Sequence, residues 1–159
     1  MKYIILFIVL LSNLYSKTVD VDIQAQSFHS DESKNIVFFK GNVSMIKAKD
    51  TLYCDEITIK TKKNKKTGNI DIVSYTAIGK VKFTFKSKDG FFKGRGNKVT
   101  FDLDKDLYQI TGNGYLEDTV NKKIIHGENI YFDGKNGFTK IDGTKDKPVR
   151  FKFKIQSKE

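Results

Sequence analysis

Few side chains in this sequence have the types and the spacing that catalysis or metal binding would need. The two histidines, His29 and His126, lie far apart in the chain, and the single cysteine is Cys54. No histidine or helix start lies beside Cys54 in the sequence to favour the reactive thiolate form. Two histidines and one distant cysteine also make a weak zinc site. We therefore predict no catalytic residue, no metal ligand, no cofactor and no enzyme activity, and we expect Cys54 to be a small buried residue.

The segment "DLDKD" has the carboxylate spacing with which a calcium loop begins, because Asp102, Asp104 and Asp106 alternate along it. An EF-hand loop then requires glycine at its sixth position and glutamate at its twelfth. Leu107 and Asn113 occupy those positions here. The segment is therefore predicted to form a hairpin turn and not a metal site.

A run of lysines in "KTKKNKKTG" offers the other possible chemistry, which is contact with phosphate groups. The candidates are Lys62, Lys63, Lys65 and Lys66. The formal net charge of +10 favours an anionic partner but does not choose among nucleic acid, lipid head groups and membrane surfaces. The alternative interpretation of the run is a solvated loop tip.

Alternation of apolar and polar residues dominates the chain after residue 17 and predicts half-buried β-strands. In "GKVKFTFK", Val81, Phe83 and Phe85 share one face while lysines and a threonine occupy the other. Turn sequences such as "SDESKN", "SKDG" and "DGKNG" separate these stretches at short intervals. The length of 159 residues suits one domain. We therefore predict a single all-β domain of many short antiparallel strands.

A two-part unit recurs along the chain. In its first part a glycine lies between two apolar stretches of the same phase, and the three examples are Gly41, Gly79 and Gly112. In its second part a small residue precedes apolar residues three and five positions later, and the three examples are Cys54, Gly96 and Gly127. A glycine within a strand marks a bend, a bulge or a close backbone approach. Stacked hairpins of this kind predict two facing sheets, as in a sandwich or jelly roll.

The N-terminus has the layout of a secretory signal peptide. Lys2 precedes an apolar run from Tyr3 to Leu11, and Ser16 is a small residue suited to cleavage. A membrane-spanning helix needs about 20 apolar residues, more than twice what this run contains. We predict a signal peptide at residues 1–16 and one domain at 17–159, with a mature charge of 28 − 19 = +9. Export would also remove nucleic acid from the expected partners.

The recurring unit is also where the sequence resembles a known family. "HSDESKNIVFFKGNVSMIKAKDTLYCDEITI" and "VTFDLDKDLYQITGNGYLEDTVNKKIIHGENIYFD" are similar to the LptA/OstA-like family of periplasmic lipopolysaccharide-transport proteins. The matching features, from about Val19 to Asp142, include the Ser30-Asp31 start, the Gly41-Asn42-Val43 step and the segment from Thr111 to Leu116. The resemblance implies a V-shaped β-jellyroll whose hydrophobic interior carries the acyl chains of lipid A.

The resemblance further implies a place between two membranes. Domains of this family stack head to tail and link an inner-membrane export complex to an outer-membrane translocon in the periplasm of the Gram-negative cell envelope. Two alternatives stay open at this point: an inner-membrane-anchored sister protein of the same pathway, and a secreted β-sandwich interaction module without lipid. A retained N-terminal anchor would indicate the first alternative, and a closed, packed core would indicate the second.

The residues predicted to line a lipid-binding groove are the apolar residues on the inward phase of the recurring unit. They are Val37, Phe39, Val43, Met45, Ile57, Ile59, Val81, Phe83, Phe85, Val99, Phe101, Leu116, Ile130, Phe132, Phe151 and Phe153.

Overall fold

The fold is described from a computed structural model, which defines residues 19–86 and 90–157. The predicted signal peptide at residues 1–16 lies outside the described residues. Within them there are ten β-strands. They are β1 Val21–Gln24, β2 Ser27–Asp31, β3 Ile36–Lys47, β4 Asp50–Lys63, β5 Ile70–Lys86, β6 Phe91–Asp102, β7 Leu107–Asp118, β8 Lys123–Asp133, β9 Phe138–Asp142 and β10 Arg150–Lys152. In this part of the chain no helix is long and apolar enough to cross a membrane.

All ten strands belong to one antiparallel sheet whose central strands follow each other in sequence order from β3 to β8. At the N-terminal edge β1 and β2 pair side by side with different parts of β3. At the C-terminal edge β9 and β10 pair in the same way with different parts of β8. The sheet is not closed, because pairing of the described strands stops at these two edges.

Each central strand is kinked near its middle, and the kinks line up across the sheet. In β3, β5 and β7 the kink consists of a glycine and the residue after it, both with positive φ. The pairs are Gly41 (86°) and Asn42 (45°), Gly79 (83°) and Lys80 (47°), and Gly112 (79°) and Asn113 (50°). The strand pairing shifts register at each of these steps, as β-bulges do. The recurring glycines therefore mark bends, as the sequence predicts.

Two polar side chains, on β4 and β6, connect the kink of one odd strand to the kink of the next odd strand. Asp55 in β4 is opposite the Gly41–Asn42 kink of β3, and its side chain covers Gly79 of β5. Asn97 in β6 repeats the arrangement, since it is opposite the β5 kink and covers Gly112 of β7. The kinks are thus coupled from strand to strand, and the bend runs continuously across the sheet.

The line of kinks divides the sheet into two layers. We call layer A the segments 36–40, 56–60, 74–78, 98–102, 107–111 and 129–133, with β2 and β9. Layer B comprises 43–47, 50–54, 81–86, 91–95, 114–118 and 123–127, with β1 and β10. The predicted facing sheets are therefore two layers of one folded sheet, and each long strand supplies one of the predicted short segments to each layer.

The two layers face each other across an apolar interior. The Phe83 ring of layer B meets the Phe101 ring of layer A edge to face, with centroids 5.9 Å apart. Beside the kinks the interior is tightly packed, because Val43, Ile57 and Val81 are at most 1% exposed. Burying such a side chain stabilises the fold by about 1.5–3 kcal/mol. The fold is anchored along the bend, and the layers extend away from it.

Aspartates shape the hairpin turns. The Asp102 carboxylate accepts a hydrogen bond from the Lys105 backbone N–H at 3.1 Å, and Asp106 then has a φ of 55°. Asp31, Asp118 and Asp133 accept the same bond from the backbone N–H three residues later. Such Asx turns mimic a backbone turn. The prediction that "DLDKD" forms a hairpin turn is confirmed.

We predict that Gly79→Ala lowers the free energy of unfolding more than Gly68→Ala does. Both glycines have positive φ, where an L-residue costs roughly 1–2 kcal/mol. A methyl group at Gly79 would also overlap the Asp55 side chain, whereas Gly68 has open space around it. Urea denaturation of the two variants measures the difference. Equal losses of stability would show that Asp55 does not support the kink.

Candidate functional site

Two clefts lie between the layers. The larger, of about 490 Å³, lies toward the C-terminal edge and is lined by residues of β5 to β9, including Leu116 and Phe132. The smaller, of about 290 Å³, lies toward the N-terminal edge and is lined by residues that include Met45 and Leu52. Both linings are mainly apolar, so each cleft suits hydrocarbon. The interior therefore combines a packed core along the bend with space between the layers.

Four aromatic rings border both clefts, and we call them the aromatic partition. They are Phe83, Phe85, Phe101 and Tyr108. The partition spans the two layers, because Phe85 of layer B stacks on Tyr108 of layer A with centroids 6.3 Å apart. Phe101 in turn meets Tyr108 edge to face at 5.0 Å. A ligand that occupied both clefts would have to pass these rings.

Most of the predicted lining residues lie in the interior, where some border a cleft and others are packed in the core. Seven line the larger cleft: Phe83, Phe85, Val99, Phe101, Leu116, Ile130 and Phe132. Met45 lines the smaller cleft. The remaining six of the inward set pack in or against the core and border neither cleft: Val37, Phe39, Val43, Ile57, Ile59 and Val81. The predicted face thus supplies both the core and the cleft walls.

The chain is similar to known proteins over most of its length. Residues 22–138, more than half of the chain, match the family described as LptA/(LptD N-terminal domain) LPS transport protein. The chain belongs to this family. Its fold is similar to that of LptH, the LptA homologous periplasmic component of the lipopolysaccharide transport device from Pseudomonas aeruginosa. That match has 17% sequence identity and a TM-score of 0.65, and it covers 87% of this chain and 96% of LptH. No curated protein sequence matches the chain significantly.

Both the predicted family and the predicted jellyroll-type fold are therefore confirmed. The family is one of lipopolysaccharide transport proteins. Within it, the two clefts between the layers of this chain are the candidate site for the transported lipid.

Several residues that line the clefts are absent from the set predicted from the sequence. They are Leu52, Tyr75, Phe92, Tyr108, Ile110 and Ile125. All of them occupy inward positions, in register with predicted lining residues of neighbouring strands: Phe83 pairs with Leu52, for example, and Leu116 with Ile125. The pattern of alternation could have found them. What alternation could not show is which inward positions border open space.

Phe151 and Phe153 lie apart from the clefts. Phe151 pairs with Ile125 at the C-terminal edge, where the described sheet ends, and it is 49% exposed. Phe153 follows β10 and is 57% exposed, with its ring 5.6 Å from that of Phe151. No strand of the described chain covers them, so they form an apolar patch on the edge.

The lysine run forms the turn between β4 and β5, and its members differ in their surroundings. The Lys62 ammonium donates to both carboxylate oxygens of Asp104, at 2.9 and 3.0 Å. Lys63, Lys65 and Lys66 are exposed, and among the described residues no carboxylate lies within 4 Å of their ammonium groups. Lys62 is therefore engaged within the chain, whereas the other three are available to a ligand.

Cys54, His29 and His126 lie on three different strands, β4, β2 and β8. Cys54 is 5% exposed at the kink of β4, and burial raises the pKa of its thiol to about 11. Its position matches those of Gly96 and Gly127 in the later strands. Within the described ranges, no group of three metal-ligating side chains is close enough to hold an ion. The prediction of a small buried cysteine is confirmed.

Burial also perturbs two interior tyrosines. It raises the pKa of Tyr108 to about 12, with a further contribution from the hydrogen bond between the phenol and Asp106. Burial is likewise the main cause of the raised pKa of Tyr75, whose ring stacks on Phe101 at 4.6 Å. Both phenols therefore stay protonated in the fold at a pH where an exposed tyrosine, with a pKa of about 10, ionises.

We predict that these tyrosines make the fold sensitive to alkali. Above about pH 10 the unfolded chain loses protons that the folded chain keeps, so the free energy of unfolding falls as the pH rises from about 10 to 12. The double variant Tyr75→Phe/Tyr108→Phe should lose less stability over this range than the parent protein. Urea denaturation at pH 9 and pH 11.5 measures both losses. Identical losses would contradict the assignment.

Proposed function

We propose that this protein is a periplasmic carrier that passes lipopolysaccharide from an inner-membrane export complex to an outer-membrane translocon. Residues 1–16 would direct its export, and residues 17–159 would form the single carrier domain. It acts by binding and release, not by catalysis, and it needs no cofactor. The observation that carries the proposal is the pair of apolar clefts side by side between the layers of a lipopolysaccharide-transport family member.

The physical basis of carriage is the transfer of acyl chains from water into the clefts. Each methylene buried contributes about 0.8 kcal/mol, so several chains together make escape into water slow. Transfer from one apolar groove to another that touches it changes the free energy little. A non-catalytic carrier therefore works best when its groove meets similar grooves at both ends.

The two sheet edges provide such ends. At the N-terminal edge β1 and β2 expose unpaired backbone, with Phe28 62% exposed. At the C-terminal edge β9 and β10 do the same, beside the patch of Phe151 and Phe153. Open edges are templates for pairing with another chain, and contacts between unlike edges propagate head to tail. We propose that copies of this protein, and the related domains of the two membrane complexes, join in this way.

The charged turn between β4 and β5 has a part in the same proposal. Lys63, Lys65 and Lys66 are free to contact phosphate groups of the lipid, while Lys62 is held by Asp104. Such contacts between exposed groups would weaken as the salt concentration rises.

We predict that Phe132→Asp abolishes lipid binding while Phe138→Asp does not. Phe132 lines the larger cleft and is 40% exposed, so a carboxylate there leaves the fold intact but puts a charge where acyl chains lie. Phe138 is 52% exposed on the outer face of the same layer, against Tyr131. Binding of purified lipopolysaccharide, measured by displacement of an apolar fluorescent probe, gives the comparison.

A crosslinking experiment completes this test. A photoreactive phenylalanine analogue at position 132 should form an adduct with lipopolysaccharide in cells, and the same analogue at 138 should not. Lipid adducts at both positions, or at neither, would overturn the cleft as the carrier site. Crosslinks confined to the protein chain would favour the interaction module without lipid.

We predict that Ser30→Pro reduces head-to-tail association while Ser30→Ala preserves it. The backbone N–H of Thr61 in β4 donates to the carbonyl oxygen of Asn35, so the next residue, Ile36, turns its own N–H and carbonyl toward its partner Asp31 in β2. By antiparallel alternation the N–H of Ser30 then points away from β3 toward the open edge. Proline removes this donor without breaking the pairing of β2 with β3. Sedimentation velocity at rising protein concentration should show large species for the parent and for Ser30→Ala only. Equal association of all three would exclude this edge.

A further inference from the structure

The outer faces of the two layers differ strongly in charge. On layer A, the outward positions paired across β3 to β9 carry four cations and four acids: Lys40, Lys60, Lys98 and Lys140 with Glu56, Asp102, Asp133 and Asp142. On layer B, the outward positions paired across β4 to β10 carry six cations and one acid: Lys82, Lys86, Lys93, Arg95, Arg150 and Lys152 with Glu117. The excess positive charge of the sheet is therefore concentrated on one side.

Three cations of layer B lie in one row that crosses the strands. The row runs through Tyr53, Lys82, Arg95, Tyr115, His126 and Arg150, each paired with the next in the sheet register. Neighbouring strands lie about 4.8 Å apart, so this row extends for about 24 Å. Its direction is from the N-terminal edge to the C-terminal edge, which is the direction in which copies would stack.

The aromatic members of the row orient its charges. The Arg95 guanidinium lies 4.6 Å from the centre of the Tyr115 ring, and His126 meets the other side of that ring at 5.0 Å. This cation–π contact restrains the guanidinium, whose planar set of N–H donors suits a carboxylate. The hydroxyl of Tyr115 donates to Glu117 at 2.7 Å, so the one acid of this face is already engaged.

The cations themselves are not neutralised within the chain. Among the described residues, no carboxylate lies within 4 Å of Lys82, Lys93 or Lys152. On layer A, by contrast, Lys40 pairs with Glu56 at 2.9 Å and Lys140 with Asp142 at 3.2 Å. An uncompensated positive face attracts an anionic partner.

We propose that the outer face of layer B docks on an anionic polymer of the cell wall, a glycan network that carries carboxylates. This inference rests on the proposed bridge, because a bridge between two membranes has to pass the wall with its long side against it. The row runs along that side. A bilayer would meet the row only if the stack lay flat on the membrane, which is incompatible with bridging.

The test uses purified cell-wall sacculi, freed of protein and lipid, and two matched double variants. Lys82→Glu/Arg95→Glu alters layer B, and Lys60→Glu/Lys98→Glu alters layer A with the same change in net charge. We expect the parent protein to sediment with the sacculi, the layer B variant to bind roughly tenfold more weakly, and the layer A variant to bind like the parent. Sacculi whose carboxylates have been amidated should retain none of the three.

Three outcomes overturn the proposal. Equal losses in both variants would show non-specific attraction to a basic protein. Undiminished binding to amidated sacculi would exclude carboxylate recognition. Phosphatidylglycerol vesicles that bind the parent more tightly than sacculi do, with the same dependence on Lys82 and Arg95, would assign the face to a membrane surface. Both double variants should still bind lipopolysaccharide in the probe assay, so a failure here is distinct from a failure of the cleft.

Discussion

The fold depends on one constraint, which is that long β-strands must bend sharply without turning their apolar side chains outward. The odd strands from β3 to β7 meet it with two consecutive residues of positive φ, so the inward residues on either side of the kink, such as Phe39 and Val43, keep the same phase. The even strands meet it differently. They place a small residue at the kink and resume the inward phase three residues later, as Cys54 and Ile57 do. Both devices produce the same result, and together they convert one sheet into two facing layers.

Much of this could be read from the sequence, because both devices have a simple spacing. The glycines at 41, 79 and 112 and the small residues at 54, 96 and 127 stand at the observed kinks, and alternation assigned the inward faces of both layers. The continuity of each strand through its kink was less visible. A glycine within an apolar stretch is compatible with a turn between two strands as well as with a bulge inside one. The positive φ of the residue after each glycine shows that the glycine belongs to a bulge, and this residue is asparagine at 42 and 113 but lysine at 80.

The candidate site was harder to predict, for a physical reason. An inward position touches either a packed neighbour or a cleft, depending on which strand it belongs to, and alternation carries no information about that position in the sheet. Ile59 of β4 and Phe132 of β8 lie in one inward row that crosses the strands, yet Ile59 is 4% exposed and borders neither cleft, whereas Phe132 is 40% exposed in the larger cleft. The same pattern of residues is therefore core on one strand and cleft wall on another. Phe151 shows a second limit, because an edge residue with the correct phase has no facing partner.

The coupling of kinks across strands has a consequence for how such a chain can vary. Asp55 and Asn97 each lie opposite the kink of one strand and cover the kink glycine of the next, so the kinks of β5 and β7 each depend on the strand before them. A single-residue insertion inside a strand would reverse the alternation beyond it and move Asp55 or Asn97 away from the glycine that it covers. The hairpin turns carry no such restriction, since a longer turn leaves the register of both flanking strands unchanged. Length differences between homologous chains are therefore expected to accumulate at the hairpins, while a whole pair of strands can be gained or lost as a module that lengthens the interior and leaves its cross-section the same.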